Sequence, residues 1–209
     1  MVKFMTLTLF LPGAGAAAAF WKPVAERTNL EHQLFSWPGL GDEPAHPDVQ
    51  GIDDLVTMVL RAMVEPVNIV AQSMGGLVAL KAALTAPTMI RRLVLTATSG
   101  GVPVADLGGS SWHSEYRRAY PDAASWISTV TEDLSAQLPF LAAPTLLLWG
   151  DHDPISPVAV GERLQTLLPH ASLQVIPGGD HDLAQHHVEL VATLIERHCR
   201  EPDPKLNLP

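Results

Sequence analysis

Six short apolar runs, at about Thr6–Leu11, Gln33–Trp37, Val67–Gln72, Arg92–Thr96, Thr145–Trp149 and Ser172–Ile176, constrain this chain more than any other feature. They lack the regular polar alternation of a strand with one wet face, and amphipathic segments separate them, over Ala16–Arg27, Ile52–Val64, Met74–Ala86, Pro157–Leu168 and Leu183–Arg200. Strands buried on both faces and spaced by helices pair in parallel, because each helical crossover returns the chain to the same end of the sheet. The expected fold class is therefore α/β, an open, mostly parallel sheet of about six strands with helices on both faces.

Length and charge narrow what such a fold can serve. A chain of 209 residues that is 47% hydrophobic suits a single domain with a substantial core. Its net charge of -9, with basic residues only in short pairs such as Arg91-Arg92 and Arg117-Arg118, argues against a nucleic-acid partner. No apolar run reaches the roughly 18 to 20 residues of a membrane-spanning helix, so no membrane partner is expected. Cys199 is the single cysteine and can form no intrachain disulfide, which accords with a reducing compartment and a cytoplasmic location.

One region departs from the alternation. From Gly100 to Pro139, clusters of Gly, Ser and Pro surround two candidate helices, "SSWHSEYRRAY" and "PDAASWISTVTEDLSAQL". The region follows a strand end, where open α/β sheets bind their ligands, so it reads as a lid insertion, with an ordinary surface excursion as the plain alternative.

The segment "VNIVAQSMGGLVALKAAL" carries the strongest chemical signal. A buried strand runs into a helix through Ala71-Gln72-Ser73-Met74-Gly75, a nucleophile-elbow pattern with alanine for the first glycine. Such a turn lifts the serine hydroxyl above the sheet and needs small neighbours. Met74 opens the helix, so its amide has no intrahelical acceptor and lies at the positive end of the dipole. The plain reading is a serine at a helix start.

Serine needs a histidine to accept its proton and an acid to orient that histidine. "TLLLWGDHDPISP" places Asp151 and Asp153 beyond one strand, and "LQVIPGGDHDLAQ" places His181 beyond the last. All three types of residue thus fall at the carboxyl edge of the sheet, in the order Ser, Asp, His. Asp153 is the preferred acid, and Asp151 the rival, with a turn before Pro154 as its plain role. His181, His186 and His187 do not share the i, i+4 face of a helical metal site, so no metal and no cofactor are expected.

On these residues the chain resembles the α/β-hydrolase superfamily from about Thr6 to His198. Ser73 matches the family's nucleophile. Gly150-Asp151-His152-Asp153 matches its Gly-x-x-Asp pattern and carries the acid to Asp153, and Gly179-Asp180-His181 matches its Gly-x-His neighbourhood. "SWPGLGDEP" is similar to its Asp-x-Pro-Gly-x-Gly-x-Ser loop, with Ser36 and Glu43 in place of the usual residues.

The resemblance also decides how "LFLPGAGAAAAFW" is read. Gly13, Gly15 and Ala18 fit a dinucleotide fingerprint, but the next run, "QLFSW", ends without the acid that holds a ribose. A cleaved secretion signal would remove the strand and loop that the rest of the site needs. In the family this loop, often His-Gly-x, lends a backbone amide to the oxyanion hole. The resemblance therefore implies Ala14 and Met74 as the two donors, with Pro12 replacing the histidine. It also implies that the opening β-hairpin of the family is missing.

The implied activity is that of a serine esterase acting on a small to medium carboxylic ester through an acyl-enzyme. Thioester cleavage, carbon–carbon bond hydrolysis or a lyase reaction resembling that of the menaquinone-pathway synthase would use the same residues. A non-catalytic ligand receptor on the same scaffold is the alternative from another class. Trp21, Trp37, Trp112, Tyr116, Tyr120 and Trp126 are candidate walls of an apolar substrate pocket, with ordinary core or surface packing as the plain alternative. Arg117 and Arg118 read as a solvated helical face, with binding of a substrate carboxylate as the sharper alternative.

Overall fold

The computed structural model describes residues 6–15 and 17–202. Six strands form one sheet in the order β2-β1-β3-β4-β5-β6: β1 Thr8–Leu11, β2 His32–Leu34, β3 Val67–Gln72, β4 Ile90–Thr96, β5 Thr145–Gly150 and β6 Ala171–Ile176. Every pairing is parallel. The four inner strands are buried on both faces, which is why the sequence lacked alternation there. The edge strands β2 and β6 keep exposed residues.

Successive side chains of the inner strands divide between two cores. Leu9, Ile69, Leu93, Leu95 and Leu147 pack on the face covered by helices α2 (Ile52–Ala62), α3 (Met74–Thr85) and α5 (Val158–Leu167). Phe10, Val70, Val94, Leu146 and Leu148 pack on the other, under α1 (Lys22–Ala25), α6 (Leu183–His186) and α7 (Val188–Arg200). Each such buried apolar side chain contributes about 1.5–3 kcal/mol through its removal from water.

The connections place a crevice at one point. From β1 the chain passes outward to β2, then returns to the far side of β1 as β3 and continues through β4 to β6. The carboxyl ends of β1 and β3 therefore flank the point where the strand order reverses, the usual binding crevice of an open α/β sheet. Their last register pair, Leu11 with Ala71, delivers the following residues, Pro12 and Gln72-Ser73, side by side at that edge.

Several elements differ from expectation. The segment expected to be helical over Ala16–Arg27 is instead a 3-10 turn at Ala18–Phe20 followed by the short α1, with residue 16 outside the described set. Ala17 is extended, the Ala18 amide goes to Ser36 Oγ, and Pro23 starts a new turn. The helix expected over Leu183–Arg200 breaks at His187, whose backbone leaves the helical region between α6 and α7. In the insertion between β4 and β5, "SSWHSEYRRAY" yields α4 (His113–Ala119). The second expected helix is only two 3-10 turns, Ser125–Thr129 and Leu138–Phe140. Local bonds compete with a helix there: the Asp133 carboxylate takes the Ser135 amide and the Leu134 amide goes to Gly101 O. β-branched Ile127, Thr129, Val130 and Thr131 weaken it further.

Candidate active site

Ser73 occupies the sharp turn between β3 and α3 with φ 52° and ψ -124°, a conformation that costs a side-chain-bearing residue about 1–3 kcal/mol. Neighbouring strands hold it there. The Ser73 amide donates to Thr96 O at 3.0 Å, and its carbonyl accepts from Thr98 Oγ1 at 2.5 Å and from the Gly76 amide at 2.9 Å. Gly75 is required by close approach, because a Cβ there would run into the carbonyls of Leu11 and Pro12. The turn and the loop after β1 are thus in backbone contact.

The three residues expected at the sheet edge converge. His181 Nε2 lies 3.1 Å from Ser73 Oγ, while His181 Nδ1 lies 2.9 Å from Asp153 Oδ2 and 3.1 Å from Oδ1. A carboxylate only accepts, so Nδ1 carries the ring proton and Nε2 is left to accept from the serine hydroxyl. Asp153 is 4% exposed, and its Oδ1 also accepts the Ile155 and Ser156 amides at 2.8 and 2.9 Å. These bonds satisfy the buried charge and fix its direction. Asp151 is outside the relay: its carboxylate accepts the Gly178 amide at 2.7 Å and braces the turn that leads to His181.

Ser73 and His181 open into a cavity of about 530 Å³, whose wall includes Gly13, Ala14 and Gly15. Met74 is the first residue of α3, so its amide has no acceptor within the helix. Of the aromatic residues offered as pocket walls, Trp112, Tyr116 and Tyr120 line this cavity. Trp21 and Trp37 do not. Both are fully buried and donate their indole N–H to backbone carbonyls instead, Trp21 to Leu11 O at the end of β1 at 2.9 Å and Trp37 to Pro12 O in the loop that follows at 2.7 Å. A buried indole nitrogen needs an acceptor, and the end of β1 and the loop after it supply one for each of these two. Trp126 is half-buried, packs against the core and is also absent from the wall. Arg117 and Arg118 are exposed and line no part of the cavity.

The wall also contains Phe20, Glu115, Ile155, Asp182 and Gln185, none of which the sequence had offered as a pocket residue, Asp182 having read only as a loop and helix-cap residue beside His181. Ile155, Asp182 and Gln185 lie within four positions of Asp153 or His181, and that adjacency was the available signal. Phe20 and Glu115 carried none, since their placement depends on the turn before α1 and on how α4 docks. Among the described residues no group of three or more His, Cys, Asp or Glu is arranged to hold a metal ion. No helix of the described residues is long and apolar enough to cross a membrane.

A parallel sheet with an elbow serine, a buried aspartate and a histidine gathered at its carboxyl edge defines a class, and comparison with known proteins gives it a family. Residues 8–194 match the model of the Alpha/beta hydrolase family, and the chain belongs to that family. It is 28% identical over 230 residues to polyketide synthase ThaQ of Burkholderia thailandensis, covering 87% of this chain but only 11% of that protein's length. It is also 28% identical over 203 residues to the pimeloyl-[acyl-carrier protein] methyl ester esterase of Neisseria meningitidis, covering 75% of this chain and 78% of that one. Among solved structures, the meta-cleavage product hydrolase of Pseudomonas fluorescens superposes with a TM-score of 0.75 at 16% identity, over 92% of this chain and 90% of that chain. At that identity the likeness concerns the fold.

Proposed function

We propose that this protein is a serine hydrolase that cleaves a small to medium carboxylic ester through an acyl-enzyme. The observation that carries the reading is the relay from Asp153 through His181 to Ser73, with bonds of 2.9 and 3.1 Å, on a strained elbow that opens into a cavity. The family's relatives include proteins named as esterases and hydrolases, which supports the same chemistry.

In this reading Ser73 Oγ attacks the ester carbonyl as its proton passes to His181 Nε2, and Asp153 stabilises the imidazolium. The carbonyl oxygen becomes an oxyanion held by the amides of Ala14 and Met74. Loss of one such donor costs roughly 100- to 1000-fold in turnover. Collapse breaks the bond to the alkoxy oxygen, which leaves as an alcohol with the proton from His181. Water then gives its proton to His181, attacks the acyl-serine, and releases the acid with restoration of Ser73. The insertion, through α4, forms the lid of the cavity.

Labelling with a fluorophosphonate, together with turnover of a p-nitrophenyl ester series, tests the proposal. One label per chain on Ser73 and steady turnover, both lost in Ser73→Ala, are expected. Ligand binding without labelling or turnover would instead identify a receptor on the hydrolase scaffold.

A further inference from the structure

The loop after β1 is held by its carbonyls. In addition to Trp21 on Leu11 O and Trp37 on Pro12 O, Tyr116 donates its hydroxyl to Ala14 O at 3.0 Å and Tyr120 donates its own to Gly15 O at 2.8 Å. The two indoles come from the two cores on opposite faces of the sheet, Trp37 from one and Trp21 from the other. The two phenols belong to α4 and its cap, four positions apart and so on one face of that helix. Their rings pack together with centroids 5.1 Å apart.

We infer that Tyr116 and Tyr120 are positioning residues of the oxyanion hole, so that docking of the insertion sets the geometry of the Ala14 amide. This rests on the serine-hydrolase reading and extends it. Peptide planarity is the physical basis. The Ala14 N–H lies in the peptide between Gly13 and Ala14. Trp37 pins the plane before it through Pro12 O, and Tyr116 pins the plane after it through Ala14 O. The plane between two pinned neighbours loses its freedom to rotate, a constraint that matters because Gly13 alone would permit it.

The Tyr116 oxygen accepts the Gly41 amide at 3.0 Å, which leaves its single proton for Ala14 O. Burial raises the Tyr116 pKa above its ordinary value, so the hydroxyl stays a donor across the working range. Gly15 allows the approach of Tyr120, since a Cβ there would sit 3.0 Å from the ring. The family's usual loop histidine is Pro12 here, which has no side-chain donor, and the bracing comes from four aromatic donors instead.

The test compares Tyr116→Phe, Tyr120→Phe and the double variant with wild type, using a p-nitrophenyl ester and a trifluoromethyl ketone whose adduct with serine mimics the oxyanion. The expected result is a fall in kcat of about 10-fold or more in the double variant, with KM within about twofold and ketone affinity reduced by the same factor as kcat. Tyr120 is only half-buried, so its single variant keeps the test open if the double variant fails to fold. Unchanged kcat in the folded variants, or a loss confined to KM, overturns the inference. Wild type active and the tyrosine variants equal to it would reject this role alone, whereas wild type inert to every ester and to fluorophosphonate rejects both it and the hydrolase reading.

Discussion

His181 Nδ1 and Asp153 Oδ2 lie 2.9 Å apart, and the other Asp153 oxygen is held by two backbone amides, so the carboxylate orients the imidazole rather than following it. Asp153→Asn removes the charge that favours the imidazolium and disturbs the tautomer that leaves Nε2 free to accept. Its kcat for ester cleavage should fall by about 1000-fold or more. Asp151→Asn keeps an oxygen for the Gly178 amide and should leave kcat near wild type while lowering the melting temperature slightly. Steady-state kinetics on the two variants decide the assignment, and the opposite ranking would move the acid to Asp151.

Backbone strain at Ser73 gives a prediction about stability. Ser73→Ala and Ser73→Gly both lose the hydroxyl and its bond to His181, so neither should hydrolyse esters. Only glycine adopts the observed φ of 52° without steric cost. Ser73→Gly should therefore be more stable than Ser73→Ala by about 1 kcal/mol in denaturant titrations. Equal midpoints would mean that the elbow stores no strain that a side chain must bear.

The inner strands and the elbow were legible because burial on both faces and a strand running directly into a helix leave marks on a single stretch of residues. Ser73, Asp153 and His181 could be named for the same reason, since each follows a strand and strand ends share one edge. The aromatic residues were less legible. Nothing in local sequence distinguishes Trp37, whose indole braces Pro12 O, from Trp112, which lines the cavity, because the difference is set by contacts 25 residues away in the first case and by the docking of α4 in the second. The loss of the second insertion helix likewise reflects a tertiary contact and a competing local bond, Leu134 on Gly101 O and Ser135 on Asp133, that outweigh helical periodicity.

His198 predicts how stability changes with pH. Burial lowers its pKa, an effect that the nearby Arg92 reinforces and the bond to Pro144 O at 3.2 Å opposes. The folded chain therefore resists protonation that the unfolded chain accepts near pH 6.5, the ordinary histidine value. The contribution of the neutral ring is present in full above that pH and is lost as pH falls below it through the depressed folded value. Melting temperatures measured from pH 8 down to pH 5 should fall more steeply for wild type than for His198→Gln. Parallel curves would show that this ring does not supply the slope.

Substrate charge should matter at the cavity. Glu115 and Asp182 contribute to its wall, and among the described residues no lysine or arginine does. Both carboxylates are exposed, so their repulsion of an anionic acyl chain is screened and amounts to about 1 kcal/mol. p-Nitrophenyl valerate should accordingly be cleaved with a kcat/KM several-fold higher than mono-p-nitrophenyl glutarate, which carries a carboxylate at the end of a chain of similar length. Added salt should narrow the gap, because screening weakens a repulsion between solvated charges. Glu115→Gln should raise the glutarate value more than the valerate value. A preference for glutarate in wild type would place a cationic recognition group within reach of the acyl chain and contradict the acidic wall as the determinant of selectivity.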